Sequence, residues 1–300
     1  EGGMEVIRVR AGGSPAAIGR RYEQLFTEAI ERLHTPVEIQ WNVTLIGPIT
    51  EITAYAKDRK PLVETIASAT AQYIMEIHEK ELIRSLIADD YGYDEADELT
   101  AIEAYCWHNP DPASEQESDL GARKRLGLIE DEVTQYLEQH QLLHIEGFIR
   151  FRLRRYIEHL REIVEYAIDE YTAEKQYEEF ISLLKYFVYI QEAKIPVAHL
   201  IHKGAHEFIL LNEKMEPIET KQLDQFVVEM IDKEINYEDM IVSTLITVSP
   251  QNVYIHTRNP EMQVIKTIKQ IFEERATVCT TCPRCIPLLG DYKRHDHYYR

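Results

Sequence analysis

No apolar run in this 300-residue chain approaches the ~20 residues that a membrane-spanning helix needs. The opening, EGGMEVIRVR, lacks the apolar core of a signal peptide, so a cytoplasmic setting is expected. Cysteine is scarce: four residues do not make a disulfide framework. Basic residues are in deficit, 33 against 52 acids, for a formal net charge of −19. Such a surface repels a phosphate backbone, which disfavours generic nucleic-acid binding and favours basic protein partners. The two tryptophans, Trp41 and Trp107, have no aromatic companions arranged for base stacking. No serine elbow, phosphate-cradling glycine loop or His-Glu-x-x-His helix occurs. Pairs such as His78–Glu79 are what chance supplies in a chain this acidic. No reaction centre is written into the local sequence, and an enzyme is the less favoured reading.

What is present is ordinary for a soluble globular chain, 44% hydrophobic and 28% charged residues. The dominant feature is Leu142–Gln191. Apolar residues recur at Ile149, Leu153, Tyr156, Leu160, Ile163, Ala167 and Tyr171, then Tyr177, Phe180, Leu184 and Phe187. Steps of three and four predict a long amphipathic helix, or two hinged near Thr172.

The chain predicts an α+β, helix-rich protein. Residues 1–60 read as a small N-terminal β-α-β unit: strand 5–10, a helix opened by Ser14-Pro15, and a β-rich stretch 37–46 broken by Gly47-Pro48. Residues 61–192 read as a helical region. One helix opens at Pro61 and stops at Gly92, and the polar, Pro-bearing stretch 109–122 reads as a mobile loop. Residues 193–278 read as an antiparallel hairpin-helix-hairpin-helix unit. Its parts are strands 197–202 and 206–211, a helix capped by Thr220 carrying Leu223, Phe226 and Met230, an apolar strand 240–248, a turn at Ser249-Pro250, a returning strand 253–257, and a helix started by Asn259-Pro260 with Val264, Ile265, Ile268, Ile271 and Phe272 inward. This layout hints at an internal repeat of hairpin and helix. Residues 279–300 form a Cys/His-containing tail.

The strings GFIRFRLRRYIEHLREIVEYAIDEY, YEEFISLLKYFVYIQE, HLIH and FILLNE resemble the YtxC-like family of sporulation proteins from endospore-forming Firmicutes. The likeness covers the second half in text and the first half in layout. It implies a cytoplasmic, sporulation-linked protein of uncharacterised molecular activity. It supplies no active-site residues to carry over.

Three of the four cysteines fall within seven residues: Cys279-Thr-Thr-Cys282-Pro-Arg-Cys285. Cys-x-x-Cys turns place two thiolates on one tetrahedral ion, and three thiolates with one histidine complete a zinc site. His295 and His297, or a fold-back of Cys106, offer the fourth ligand. An iron–sulfur cluster, a redox dithiol and plain free thiols remain alternatives.

A basic patch, Arg150, Arg152, Arg154, Arg155 and Arg161, offers guanidinium forks to an acidic partner, phosphorylated ligand or nucleic acid. Internal pairing with nearby acids is its simpler role. His199 and His202 face opposite sides of a strand, so they do not readily share a metal; with His206 they read as satisfied or exposed histidines. The function expected from sequence is a non-enzymatic interaction or regulatory protein with a protein partner; the alternatives are a zinc-binding metalloprotein or metal-dependent enzyme built on the cysteine cluster, and a nucleic-acid binder through the Arg150–Arg161 helix, which the net charge disfavours.

Overall fold

The computed structural model describes residues 4–12, 15–32, 38–47, 49–107, 115–204, 207–218 and 237–289. The chain divides into two compact units, Glu1–Ala173 and Glu174–Arg300. Both are mixed helix and sheet, as the α+β, helix-rich reading expects.

The first unit contains β1 (Glu5–Gly12), α1 (Pro15–Arg32), β2 (Gln40–Ile46), β3 (Ile49–Ala56), α2 (Arg59–Ile77), α3 (Glu79–Tyr91), α4 (Ala96–Trp107), α5 (Glu115–Gln139), β4 (Leu142–His144) and α6 (Ile145–Phe151). Its sheet has the order β2-β3-β1-β4, with β4 parallel to β1 and the other pairs antiparallel. Strand β3 went unread in the sequence, although it is buried along almost its whole length. It returns from β2 through Gly47, whose φ of 61° is the left-handed conformation that glycine adopts without steric cost. Tyr22, Leu25 and Phe26 of α1 pack into one core with Leu62, Ile66 and Ile74 of α2 and Ile129, Val133 and Leu137 of α5.

The helix expected from Pro61 to Gly92 is two helices, α2 and α3, parted at His78. Its end is as expected: Gly92, at φ 74°, closes α3 by donating to the Ala88 carbonyl at 3.0 Å. Helix α5 begins at Glu115, inside the stretch read as a loop; residues 108–114 lie outside the described set.

The long helix α7 (Arg154–Ile190) contributes to both units. It runs unbroken through Thr172; the break lies at Arg152–Leu153, between α6 and α7. Within the first unit its buried stripe is Tyr156, Leu160, Val164 and Ala167, close to the pattern read from sequence.

Between α3 and α4, Glu103 accepts from Arg84 Nε at 2.7 Å and from Lys80 Nζ at 3.0 Å. Burial alone would raise its pKa, but the two cations outweigh burial and hold the carboxyl below its ordinary value. A carboxylate whose pKa is depressed by folding contributes stability above its unfolded pKa and loses it as pH falls. Urea midpoints followed downward from about pH 5 should therefore drop more steeply for the natural chain than for Glu103→Gln. Equal slopes would remove Glu103 from the acid transition.

The second unit contains β5 (Ile195–Gly204), β6 (Glu207–Leu211), α8 (Tyr237–Val248), β7 (Pro250–His256), α9 (Gln263–Phe272), a 3-10 turn (Glu273–Arg275) and β8 (Ala276–Cys279). The sheet order is β6-β5-β7-β8. The β5–β6 hairpin is antiparallel as expected. The second hairpin is not formed. Residues 240–248 lie in helix α8, and β7 runs parallel to both β5 and β8. In MIVSTLITV the β-branched residues mimic a strand, but the buried positions Ile241, Val242, Leu245 and Val248 follow the helical period. The proposed repeat therefore fails in its second half. Ser249 is no type I turn residue: it sits at φ 45°, donates its hydroxyl to Glu192 O at 3.1 Å, and releases Pro250 as the first residue of β7.

Helix α9 buries Val264, Ile265, Ile268, Ile271 and Phe272, all five inward residues read from sequence. Parallel neighbours require a crossover, and α9 supplies it between β7 and β8. The helix expected after Thr220, with Leu223, Phe226 and Met230, lies outside the described residues. In the last part of α7, Ile181 and Val188 are buried, whereas Phe180 and Phe187, expected inward, are 56% and 49% exposed. Among the described residues no helix is long and apolar enough to cross a membrane.

Candidate metal centre

The second sheet has two unlike faces. Ala198 and Leu200 of β5 and Val253 and Ile255 of β7 point to one face and pack against Leu245 of α8 and Ile265 and Ile268 of α9. Alternation sends His199, Ile201, Tyr254 and His256 to the other. The cysteine segment folds over that second face.

His256 is the last residue of β7 and Cys279 the last of β8, and the two are register partners in the parallel pair. Thr257 N–H donates to the Cys279 carbonyl at 3.1 Å, which holds the two strand ends together. Beyond β8 the chain turns tightly. Cys285 N–H and Ile286 N–H both donate to the Cys282 carbonyl, at 3.2 and 3.1 Å. In return Cys282 N–H donates to Cys285 Sγ at 3.2 Å. Cys285 and Leu289 are buried with Ile201 and Leu211, so the turn is anchored by a small apolar cluster.

The result is convergence. One ring nitrogen of His256 and the three sulfurs of Cys279, Cys282 and Cys285 all lie within 4.8 Å of one another. His256 Nδ1 is 3.8 Å from Cys282 Sγ. A tetrahedral zinc site with metal–sulfur bonds of ~2.3 Å has ligand atoms roughly 3.8 Å apart, so a small contraction closes the set. Thiolate with imidazole is also the donor chemistry that suits zinc. Three thiols acting merely as small apolar side chains would account for Cys285, which is fully buried. That role does not account for a histidine nitrogen facing the same point.

Among these thiols, burial pushes Cys279 up to about 11. Hydrogen bonds from Cys285, thiol and backbone, hold Cys282 below the ordinary thiol value. A dication at the centre would override that ranking, because a coordinated thiol is deprotonated outright. Burial lowers the pKa of both His256 and His199; the mutual repulsion of the rings adds to it for His256, and Arg284 adds to it for His199. A lowered pKa favours the neutral ring, the state that ligates metal.

The fourth side chain converging on this point is His256, which the sequence reading did not name. His295 and His297 lie outside the described residues. Cys106 is half-buried on α4 and packs against the core of the first unit, where burial and Glu103 push its thiol up to about 11. His199 and His202 face opposite ways as expected. His199 Nδ1 lies 3.0 Å from His256 Nε2, and His202 Nδ1 lies 2.9 Å from Thr257 Oγ1. His206 lies outside the described residues.

The arginines do not line one helix, because Arg150 is on α6 and Arg154 starts α7. Arg154 pairs with Glu158 at 3.0 Å and Arg161 with Asp90 at 2.9 Å. Arg152 lies over the Tyr136 ring and Arg150 over Phe151, while Arg155 is exposed. Acid pairing thus engages two of the three patch guanidiniums on α7, those of Arg154 and Arg161.

Residues 64–277 match the YtxC-like family, more than two thirds of the chain. The chain belongs to the YtxC-like family. It is 28% identical over 221 residues to the uncharacterized protein YtxC of Bacillus subtilis (strain 168), which covers 72% of this chain and 76% of that protein. No solved structure matches the chain. The family match takes in His199 and His256 and stops just short of Cys279, so Cys279, Cys282 and Cys285 lie beyond it.

Proposed function

We propose that this YtxC-like protein is a non-catalytic interaction protein whose second unit is completed by a structural zinc ion. Cys279, Cys282, Cys285 and His256 are the ligands of this reading. The observation that carries it is the meeting of four ligand atoms within 4.8 Å, drawn from two strand ends and one turn. Four protein ligands fill a tetrahedral zinc and leave no position for a substrate or an activated water, which is the pattern of a structural site. Exposed apolar side chains on the last turns of α7, among them Phe180, Leu183, Tyr186 and Tyr189, give the interaction half of the reading a surface. The sporulation setting rests on the family resemblance.

The test is elemental analysis of the full chain purified under reducing conditions with trace zinc. About one zinc per chain is expected, with loss on His256→Ala or Cys282→Ser. A folded, metal-free chain that takes up no zinc would sink the reading.

A further inference from the structure

We infer that His199 is a positioning residue that commits His256 to bind metal through Nδ1; the inference rests on the zinc reading above. The two rings lie on adjacent parallel strands, β5 and β7. His199 pairs in register with Tyr254, and His256 is two residues further along the same face. Both rings are buried, at 7% and 4% exposure. Nε2 of His256 is 3.0 Å from Nδ1 of His199, while Nδ1 of His256 faces the sulfurs. The His199 ring is further fixed between Tyr254 and His256, with centroids 5.3 and 5.2 Å away.

The hydrogen bond shared by the two imidazoles decides the tautomers. One nitrogen of the touching pair must carry hydrogen and the other must accept it. If His256 gives its Nδ1 lone pair to a metal, its hydrogen must sit on Nε2. That hydrogen then points at His199, whose Nδ1 is left bare to accept it. His199 accordingly carries its own hydrogen on Nε2. A ligating histidine is normally oriented through its second nitrogen, and losing that outer partner costs metal affinity. Here the outer partner is another imidazole rather than a carboxylate, so no negative charge is added behind the ligand. The acceptor fixes ring orientation and tautomer without adding to the negative charge of the site.

The experiment is zinc competition against a chromophoric chelator, on the full chain at neutral pH, for the natural protein, His199→Phe and His199→Asn. Phenylalanine keeps the ring and removes the acceptor, and zinc affinity should fall about 10- to 100-fold. Asparagine places its Oδ1 near the position of Nδ1 and should restore most of the affinity. Nitrogen-15 spectra of the zinc-loaded natural chain should show His256 metal-bound at Nδ1 with hydrogen on Nε2, a readout that a packing role alone would not set. Phenylalanine binding as tightly as the natural chain, asparagine as weakly as phenylalanine, or ligation through Nε2 would each overturn the inference. In those cases the natural chain still binds zinc and the parent reading stands. A natural chain that binds none ends both. If His199→Phe does not fold, the spectra and the asparagine variant decide alone.

Discussion

Stripping the proposed zinc from the protein, or replacing Cys285 by Ser, should release the segment 280–289 from the sheet and leave the first unit untouched. Cys285 is the pivot of the turn: its sulfur accepts from Cys282 N–H, its carbonyl accepts from Leu288 and Leu289, and its side chain is fully buried. The apolar cluster around it is small, essentially Ile201, Leu211 and Leu289 with a few half-buried neighbours. At about 1.5–3 kcal/mol for each fully buried aliphatic side chain, that cluster falls short of the roughly 10–20 kcal/mol that ordering a ten-residue turn costs. The proposed zinc would supply the difference. Structural zinc in small fingers is worth ~10–16 kcal/mol of apparent binding free energy, and a ligand at a thousand times its Kd stabilises by about 4 kcal/mol. The rest of the second unit keeps its own core, built on Ile255, Val264, Ile265 and Phe272, so the loss should be local. Hydrogen exchange after chelation should show amides of 280–289 near free rates, β7 and β8 partly deprotected at their His256 and Cys279 ends, and α2 unchanged. Protection of 280–289 that ignores both chelator and Cys285→Ser would show that the turn needs no metal.

How much of this centre could be read beforehand turns on one helix. The cysteine spacing suggested a tetrahedral donor set from sequence, and it named three of the four side chains that converge. The fourth depended on which strands are neighbours. Ile241, Val242 and Val248 made 240–248 look extended, and an extended segment there sends 253–257 back antiparallel. As helix α8 it makes β7 parallel to β5 and β8 and brings His256 beside Cys279. A short apolar run is ambiguous by periodicity alone. The second miss has a related cause. In α7 the pairs Phe180/Phe187 and Ile181/Val188 have the same seven-residue spacing and lie on adjacent stripes, so the period cannot choose between them. Side-chain size favoured the aromatics; packing buries the aliphatics. Where capping or a wide stripe left no rival, as at Gly92 and along α9, the sequence was legible.

Replacing Glu79 by Ala should be the most damaging single change in the first unit. Glu79 opens α3 and is 4% exposed. One of its oxygens, Oε2, accepts from Tyr156 Oη at 2.6 Å and from Arg125 Nε at 3.0 Å, tying α3 to α7 and α5. Burial and the adjoining carboxylate hold the Tyr156 hydroxyl protonated, so it donates throughout the working pH range. The carboxylate also lies at a helix N-terminus, where the backbone dipole favours negative charge. The Arg125 side chain is only 12% exposed and leans on the Trp107 ring, so it cannot turn to water when its partner goes. Removing one member of a buried pair costs about 3–5 kcal/mol because the survivor is left charged and unpaired. Against a typical total of about 5–15 kcal/mol, that endangers the unit. Tyr156→Phe, which leaves the ion pair intact, should cost only about 1–3 kcal/mol. The decisive comparison is Glu79→Leu combined with Arg125→Met. If the damage comes from a stranded cation, the double variant should recover most of the loss in urea midpoint. If the double variant is as unstable as Glu79→Ala, the penalty lies in lost packing or capping, and the charge account of this junction is wrong.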